Sequence, residues 1–311
     1  MMNRRRIVDL VDDRCMGGAI SIGNFDGVHQ GHAALISRLK VMADQIGGPA
    51  VAVTFEPSPA AILRPDGVPP QLTTIARRME LLRSCGADHV VVCKTDQQLL
   101  NQTAEEFFKN LVMEELAARG VVEGPNFYFG KRRAGDTQLL RQLCRENGIA
   151  IEIVSPQSAG ESLISSTRVR DLLSAGNVAE ANRLLTSPYM ISGKIIRGSA
   201  RGRQIGFPTA NLDSVKTLVP GVGVYACRVW RDGDFLADAA ANIGPNPTFG
   251  ENASKIEVHL LDFDGDLYGC DLEVEFHSRI RGVVCFDSAK DLTDQLTADI
   301  TKIRLQLRGN D

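Results

Sequence analysis

The hydropathy pattern of the chain changes at Ser187-Pro188, and no single layer architecture accommodates both sides of that change. Before it, short apolar runs alternate with longer stretches of helical period. Residues 19–23, 51–55, 89–93 and 149–154 read as strands, and residues 31–46, 74–84, 103–119 and 139–147 as helices between them. Thr103 followed by Glu106 gives the third of these helices a capping box. Strand–helix repetition of this kind builds a parallel sheet covered by helices on both faces. After the change, residues 190–196, 223–230, 237–243, 256–263 and 272–276 are short β-rich runs punctuated by glycine and proline, the pattern of a small barrel. Residues 288–307 end the chain with Leu292, Leu296, Ile300 and Ile303 on one helical face. The expected fold is α/β: a doubly wound parallel-sheet domain over residues 1–186, followed by a small β-barrel with a terminal helix over residues 187–311.

Charge narrows the function. The 35 Lys and Arg against 38 Asp and Glu leave a net charge of -3, without the basic excess of a nucleic-acid binder. The seven cysteines form no CxxC pair and are odd in number, which fits reduced thiols and not a disulfide framework or a zinc site. Asp9, Asp12 and Asp13 follow Arg4, Arg5 and Arg6 too closely for a secretory apolar core, and no apolar run is long enough to span a membrane. The expectation is a cytoplasmic protein acting on small molecules, with no nucleic-acid or membrane partner.

The densest chemical signal is Gly23-Asn24-Phe25-Asp26-Gly27-Val28-His29-Gln30-Gly31-His32, at the end of the first predicted strand. Ligands of open α/β sheets bind beyond the carboxyl ends of the strands. His29 and His32 stand three apart with Gly31 between them, where a missing Cβ lets backbone approach a ligand. The helix that begins here turns free N–H groups and its positive end toward the same place, so the stretch suits a polyphosphate. The bland reading of the same pair is two caps on a surface helix. At the far end of the domain, Ile164-Ser165-Ser166-Thr167-Arg168-Val169-Arg170 offers hydroxyls at a helix start beside guanidinium groups, a second phosphate-binding pattern that alone would read as an ordinary N-cap.

In the second domain, Gly198 to Asn211 forms a glycine-rich cationic loop that lacks the P-loop spacing, ending in Gly206-Phe207-Pro208-Thr209-Ala210-Asn211. Thr209 and Asn211 present hard oxygens at i, i+2, of the kind Mg²⁺ takes beside nucleotide phosphates; a solvated loop is the alternative. In Ile256-Glu257-Val258-His259-Leu260, strict alternation puts Glu257 and His259 on the polar face, where Glu257 could accept a proton from an attacking hydroxyl or simply sit wet on the barrel.

The His-x-Gly-His stretch is the signature of nucleotidylyltransferases. With Thr54-Phe55-Glu56-Pro57, Leu72-Thr73-Thr74, Asn126-Phe127-Tyr128-Phe129-Gly130-Lys131, Arg133-Ala134-Gly135-Asp136 and residues 164–170, the first domain resembles the FMN adenylyltransferase half of bacterial bifunctional riboflavin kinase/FAD synthetases. Gly206–Asn211, Gly223-Val224-Tyr225, Asn242-Ile243-Gly244, Pro247-Thr248-Phe249, residues 257–263 and Leu267-Tyr268-Gly269 look like the riboflavin kinase module, so the resemblance covers essentially the whole chain. It implies phosphorylation of riboflavin to FMN and adenylylation of FMN to FAD, with ATP, riboflavin and FMN as substrates and Mg²⁺ as cofactor. His29 and His32 would act on the ATP phosphates, with Gly23, Asn24, Phe25 and Gly31 binding ATP beside them. Ser166, Thr167 and Arg170 would hold the triphosphate, and Asn126 and Phe127 would line the flavin. In the barrel, Gly202, Gly206 and Thr209 would meet phosphate, Thr209 and Asn211 the metal, and Glu257 would be the base. The chain departs from the family pattern at Ser58, Lys94-Thr95-Asp96, Asn246, Val283 and Cys285. A chain with only the adenylyltransferase working, or a flavin-binding regulator without turnover, would share these motifs.

Overall fold

The computed structural model describes residues 13–160, 162–198, 202, 205–246 and 251–308; the side chains of 13, 246 and 251–254 are not described. Two compact units result, one from residues 1–70 with 75–165 and one from residues 71–74 with 166–311.

Alternation along two buried strands dictates the layers of the first unit. In β1 (Ala19–Ile22) and β2 (Ala50–Glu56), Ala19, Ala50 and Ala52 face one side, while Ile20, Ile22, Val51, Val53 and Phe55 face the other. The alanine face admits α1 (Gln30–Ile46) close to the sheet, so that Ile36, Leu39 and Ala43 pack there. After the short α2 (Pro59–Leu63), α3 (Ile75–Ser84) adds Leu81 and Leu82 to the same layer. Beyond β3 (His89–Lys94) and α4 (Gln97–Leu100), α5 (Ala104–Phe107) starts from the Thr103–Glu106 capping box. It runs on as a π-helical segment, Phe108–Glu115, whose Phe108, Leu111 and Val112 cover the branched face. Each fully buried Val, Leu or Ile contributes about 1.5–3 kcal/mol.

Then come β4 (Gly120–Glu123), α6 (Thr137–Glu146) and β5 (Ala150–Ile153), with β6 (Ser158–Ala159) and β7 (Ser162–Leu163) as a small antiparallel ribbon. The main sheet is parallel throughout, in the order β3-β2-β1-β4-β5. Chain order reverses between β1 and β4, the switch point where open α/β sheets bind ligands. The expected helix over 103–119 stops at Glu115 and leaves room for β4, a strand the apolar pattern did not reveal. A Cβ on Gly120 would lie 2.6 Å from Ile46 Cδ1 and Met42 Sδ of α1, side-chain ends that fill the space glycine leaves.

The second unit begins with α7 (Ser166–Ser174) and α8 (Val178–Leu184). Gly221 N–H donates to Leu173 O, Asn182 Nδ2 donates to Phe276 O, and Asn182 Oδ1 accepts from Tyr189 N–H. These bonds join both helices to the barrel, so the compact unit starts at 166 although the strand pattern starts after 187. The strands are β8 (Met190–Ile196), β9 (Ala210–Asp213), β10 (Gly223–Arg231), β11 (Asp234–Asn246), β12 (Glu251–Leu260) and β13 (Asp271–Arg281). They close in the order β10-β11-β12-β9-β8-β13, antiparallel at every pair. Tyr225, Cys227, Val274 and Phe276 are fully buried, and the Tyr225 and Phe276 rings meet edge to face at 5.4 Å. The terminal α9 (Ala289–Arg308) lays Ile303 and Leu307 against Val224, Ala226, Leu261 and Ile280. The α/β architecture with a doubly wound sheet, a closed barrel and a terminal helix is thus as expected.

Candidate active sites

The turn after β1 is built from backbone that few side chains tolerate. Phe25 (φ 46°), Gly27 (φ 84°) and Val28 (φ 40°) all have left-handed conformations, which cost about 1–3 kcal/mol each at non-glycine residues. Burial holds them: Phe25 and Val28 are in the core, and a Cβ on Gly23 would press on the Phe25 ring at 3.3 Å. Val28 N–H donates to Phe25 O, and Thr54 Oγ1 of β2 donates to Asn24 O at 3.1 Å.

This turn delivers His29 as the N-cap of α1, with Nδ1 accepting from His32 N–H at 3.3 Å. The two imidazoles stack with centroids 3.6 Å apart, and Phe25 meets His32 edge-on at 5.2 Å. Gly31 is needed beneath them, since a Cβ there would lie 3.1 Å from the His29 ring. Burial pushes His29 from 6.5 down to about 4, against a backbone hydrogen bond and the Asp26 carboxylate, which favour its charge. Burial likewise holds His32 well below 6.5, helped by His29 and by the Arg78 guanidinium. Both rings are therefore neutral at pH 7. Because His29 Nδ1 accepts a hydrogen bond, its proton resides on Nε2, which is left as a donor.

Two further groups, Arg78 and Glu123, brace this site. Arg78 of α3 is 1% exposed, with Nη2 3.5 Å from Asp26 Oδ1 and Nη1 3.3 Å from Thr54 Oγ1. At the end of β4, Glu123 accepts from Ile22 N–H at 2.6 Å, extending the β1–β4 link past the last backbone pair, Ile20↔Val121. Burial pushes the Glu123 carboxyl well above the usual carboxylate range, although the N–H groups of Ile22 and Gly124 oppose the shift.

Asn126 is exposed and Phe127 half-buried in the loop after β4. Phe127 stacks on Phe129 at 5.4 Å, and Phe129 pairs with Gly135 as an antiparallel bridge. A Cβ on Gly135 would meet the Phe129 ring at 2.7 Å, and one on Gly130 would meet Ala104 at 2.6 Å, so the loop is shaped by its glycines. Ser166, Thr167 and Arg170 lie in α7, within the second unit.

On the barrel, register assembles the second set. Asn211 of β9 pairs with Glu257 of β12, which pairs with Asn242 of β11. Directly opposed residues share a face, so these three form one polar row, half-buried, outside the fully buried row of Tyr225, Ala241 and Val258. The glycine-rich loop borders this row: His259 Nδ1 is 2.7 Å from Pro208 O, and its ring meets Phe207 edge-on. Gly202 closes the turn, its O accepting from the N–H groups of Ile205 and Phe207. A Cβ on Gly202 would reach Thr209 Oγ1 at 3.5 Å, and one on Gly198 would strike Asn211 Nδ2 at 2.1 Å. Gly206 has φ 87°. The predicted loop residues Ala200, Arg201, Arg203 and Gln204 and the Pro247-Thr248-Phe249 motif lie outside the described residues. Val283 sits over Gly244, and Cys285 is exposed.

A family profile described as FAD synthetase matches residues 13–168, and one described as riboflavin kinase matches residues 185–307. The "Bifunctional riboflavin kinase/FMN adenylyltransferase" of Escherichia coli K12 is 37% identical over 283 residues, covering 91% of this chain and 90% of that protein. The chain belongs to the bifunctional riboflavin kinase/FMN adenylyltransferase family. It is accordingly a transferase of flavin cofactor biosynthesis, with both modules in the family's order. The family protein of Pseudomonas fluorescens is 36% identical over 289 residues, covering 93% of this chain and 92% of its own. A crystal structure of a Streptococcus pneumoniae protein described as a macrolide-efflux protein has a TM-score of 0.84 at 33% identity, covering 93% of this chain and 94% of that one. Among the described residues, no helix of this family member is long and apolar enough to cross a membrane.

Sequence reasoning quoted Asp26, Thr54 and Asn242 but gave them no role, and it missed Arg78 and Glu123. Arg78 left a readable trace: it shares the buried stripe of α3 with Leu81 and Leu82, at i, i+3 and i+4.

Proposed function

We propose that the first unit couples FMN to the α-phosphorus of ATP through His29 and His32, and that the barrel phosphorylates riboflavin with Glu257 as base. The observation that carries the reading is the stacked, neutral imidazole pair at the start of α1, past the end of a central parallel strand. In adenylylation, an FMN phosphate oxygen attacks the α-phosphorus of ATP. The bond to the bridging oxygen breaks, and pyrophosphate leaves. Charge grows on phosphate oxygens in flight, where neutral N–H donors and the N–H groups of a helix start stabilise it. Ser166, Thr167 and Arg170 take the triphosphate role their motif implies, and Asn126 and Phe127 the flavin side. The domain spans carry over from the sequence: residues 1–186 for adenylylation, 187–311 for the kinase.

In the barrel, the Glu257 carboxylate takes the proton of riboflavin's terminal hydroxyl as that oxygen attacks the γ-phosphorus of ATP, and ADP leaves. Asn211 beside Glu257, with Thr209 before it, is a hard-oxygen set that fits Mg²⁺ when nucleotide phosphates complete its shell. When bound, Mg²⁺ neutralises phosphate charge. Gly202 and Gly206 shape the loop that meets those phosphates. Among the described residues no cluster of three or more His, Cys, Asp or Glu could hold a metal ion, and Mg²⁺ ordinarily completes its shell with phosphate oxygens and water.

Purified protein given riboflavin, ATP and Mg²⁺ is expected to yield FMN and FAD, and FMN with ATP to yield FAD and pyrophosphate, read by separating the flavins. FAD formed only from added FMN would leave a single-activity adenylyltransferase; tight flavin binding without turnover would leave a regulator.

A further inference from the structure

We propose that Arg78 is a positioning residue for adenylyl transfer, its buried guanidinium gripping the turn that carries the imidazole pair. The inference rests on reading the first unit as the adenylyltransferase. A buried arginine is a poor way to add stability, because desolvating the ion pair offsets its attraction and apolar residues of similar volume often do as well or better. Arg78 nonetheless occupies a core position beside Leu81 and Leu82, and what it binds explains why.

Its two arms reach the turn by separate routes. Nη2 approaches Asp26 directly at 3.5 Å, while Nη1 donates to Thr54 Oγ1 at 3.3 Å, and that hydroxyl passes its own proton to Asn24 O at 3.1 Å. Asn24 and Asp26 flank Phe25, the left-handed residue whose ring rests against His32. Arg78 therefore clamps both sides of the strained residue that sets the His32 ring. Its fixed positive charge also works with burial and His29 to keep His32 unprotonated. No other core residue described here combines a two-armed hold on the turn with that electrostatic effect.

Arg78→Met keeps the buried bulk and removes charge and donors. FAD formation from FMN is expected to lose about 10–100-fold in kcat, the scale on which small misplacements act. KM for ATP should change less than about threefold, with kcat referred to the folded fraction read by circular dichroism, since unfolded protein lowers apparent kcat without moving KM. Arg78→Lys, with charge but no fork, should fall between. In protein labelled at histidine rings, the His32 signal of Arg78→Met should protonate at higher pH than wild type. Should Arg78→Met not fold, Thr54→Val cuts only the relay to Asn24 and is expected to lower kcat about fivefold. Wild-type kcat and an unmoved His32 titration in folded Arg78→Met, or wild-type kcat in Thr54→Val where Arg78→Met does not fold, overturn the proposal. If the wild-type protein makes no FAD from FMN, the adenylyltransferase reading fails instead; the ring titration still shows whether Arg78 governs His32.

Discussion

In the first unit the imidazole pair stands past the end of a parallel strand; in the barrel Glu257 and Asn211 stand along the strands. Parallel strands feeding helices on both faces leave only their ends open, so a single turn gathers the imidazole pair: His29, His32, Phe25 and Asn24 come from ten consecutive residues. The barrel's antiparallel register instead collects Asn242, Glu257 and Asn211 from three strands. The parallel site is buried enough for the protein to dictate protonation. The barrel row is half-buried and leaves more to the ligand. Two ways of gathering polar groups thus follow from two ways of covering a sheet.

The sharpest way to break this division is to disable each site alone. His32→Ala is expected to cut FAD formation from FMN by about 10²–10³-fold, the loss seen for a single preorganised donor, while riboflavin phosphorylation stays within twofold. Glu257→Ala should lower FMN formation by about 10²–10⁴-fold, the usual range for a general base, and spare adenylylation of added FMN. Equal loss of both products in either variant would show that the sites do not act separately.

The contrast in burial also predicts a pH effect on stability in the parallel-sheet unit between about pH 5 and 8. Folded Glu123 keeps its proton to a higher pH than in the unfolded chain, where it ionises above its ordinary 4.5. The folded state then holds the extra proton, so stability falls as pH rises from 4.5 toward the folded value, by about 1.4 kcal/mol per pH unit. Glu123→Gln keeps an acceptor for Ile22 N–H and removes that slope. Urea unfolding at pH 5 and pH 8 should show the variant gaining on wild type at pH 8; identical curves would place Glu123 in a wetter setting. His29 contributes with the opposite sign. Its pKa of about 4 lies below the unfolded 6.5, so its contribution is present above 6.5 and fades as pH falls toward 4.

A smaller effect is expected at Gly31. An alanine Cβ at 3.1 Å from the His29 ring must tilt one imidazole off the other, and about tenfold lower FAD formation follows if ring placement matters. Unchanged turnover would mean the stacked arrangement is incidental.

How much of this was legible in the sequence differs between the two units for the same physical reason. The turn of residues 23–32 could be read because its groups are adjacent in the chain, and β1, β2 and β3 because they are continuous apolar runs. Residues 120–123 escaped because Gly-Val-Val-Glu is too short to show a period, and the helical pattern before it masked the start. Glu123 and Arg78 escaped with their surroundings, since a charge in a sequence looks solvated until its burial is known. In the barrel, alternation placed Glu257 on the polar face, but only register could put it beside Asn211 and Asn242. The boundary at 187 marks a change of strand pattern, whereas α7 and α8 join the barrel through hydrogen bonds between residues far apart in sequence.

The finest test of separateness uses a matched pair of exposed contacts. Arg133 lies over the Tyr128 ring at 4.4 Å in the flavin-side loop of the first unit, and Arg197 lies over the Tyr268 ring at 5.4 Å on the barrel. Exposed cation–π contacts contribute about 0.5–1 kcal/mol, so each alanine variant should move a KM by about two- to fivefold and leave kcat near wild type. Arg133→Ala loosens Tyr128 but leaves the Phe127–Phe129 stack and the Gly130 and Gly135 constraints in place, so its effect should fall on FMN in adenylylation alone. Arg197→Ala, just before the glycine-rich loop, should fall on ATP in riboflavin phosphorylation alone. If Arg197→Ala weakened FMN use in FAD formation, the two units would not be independent in function.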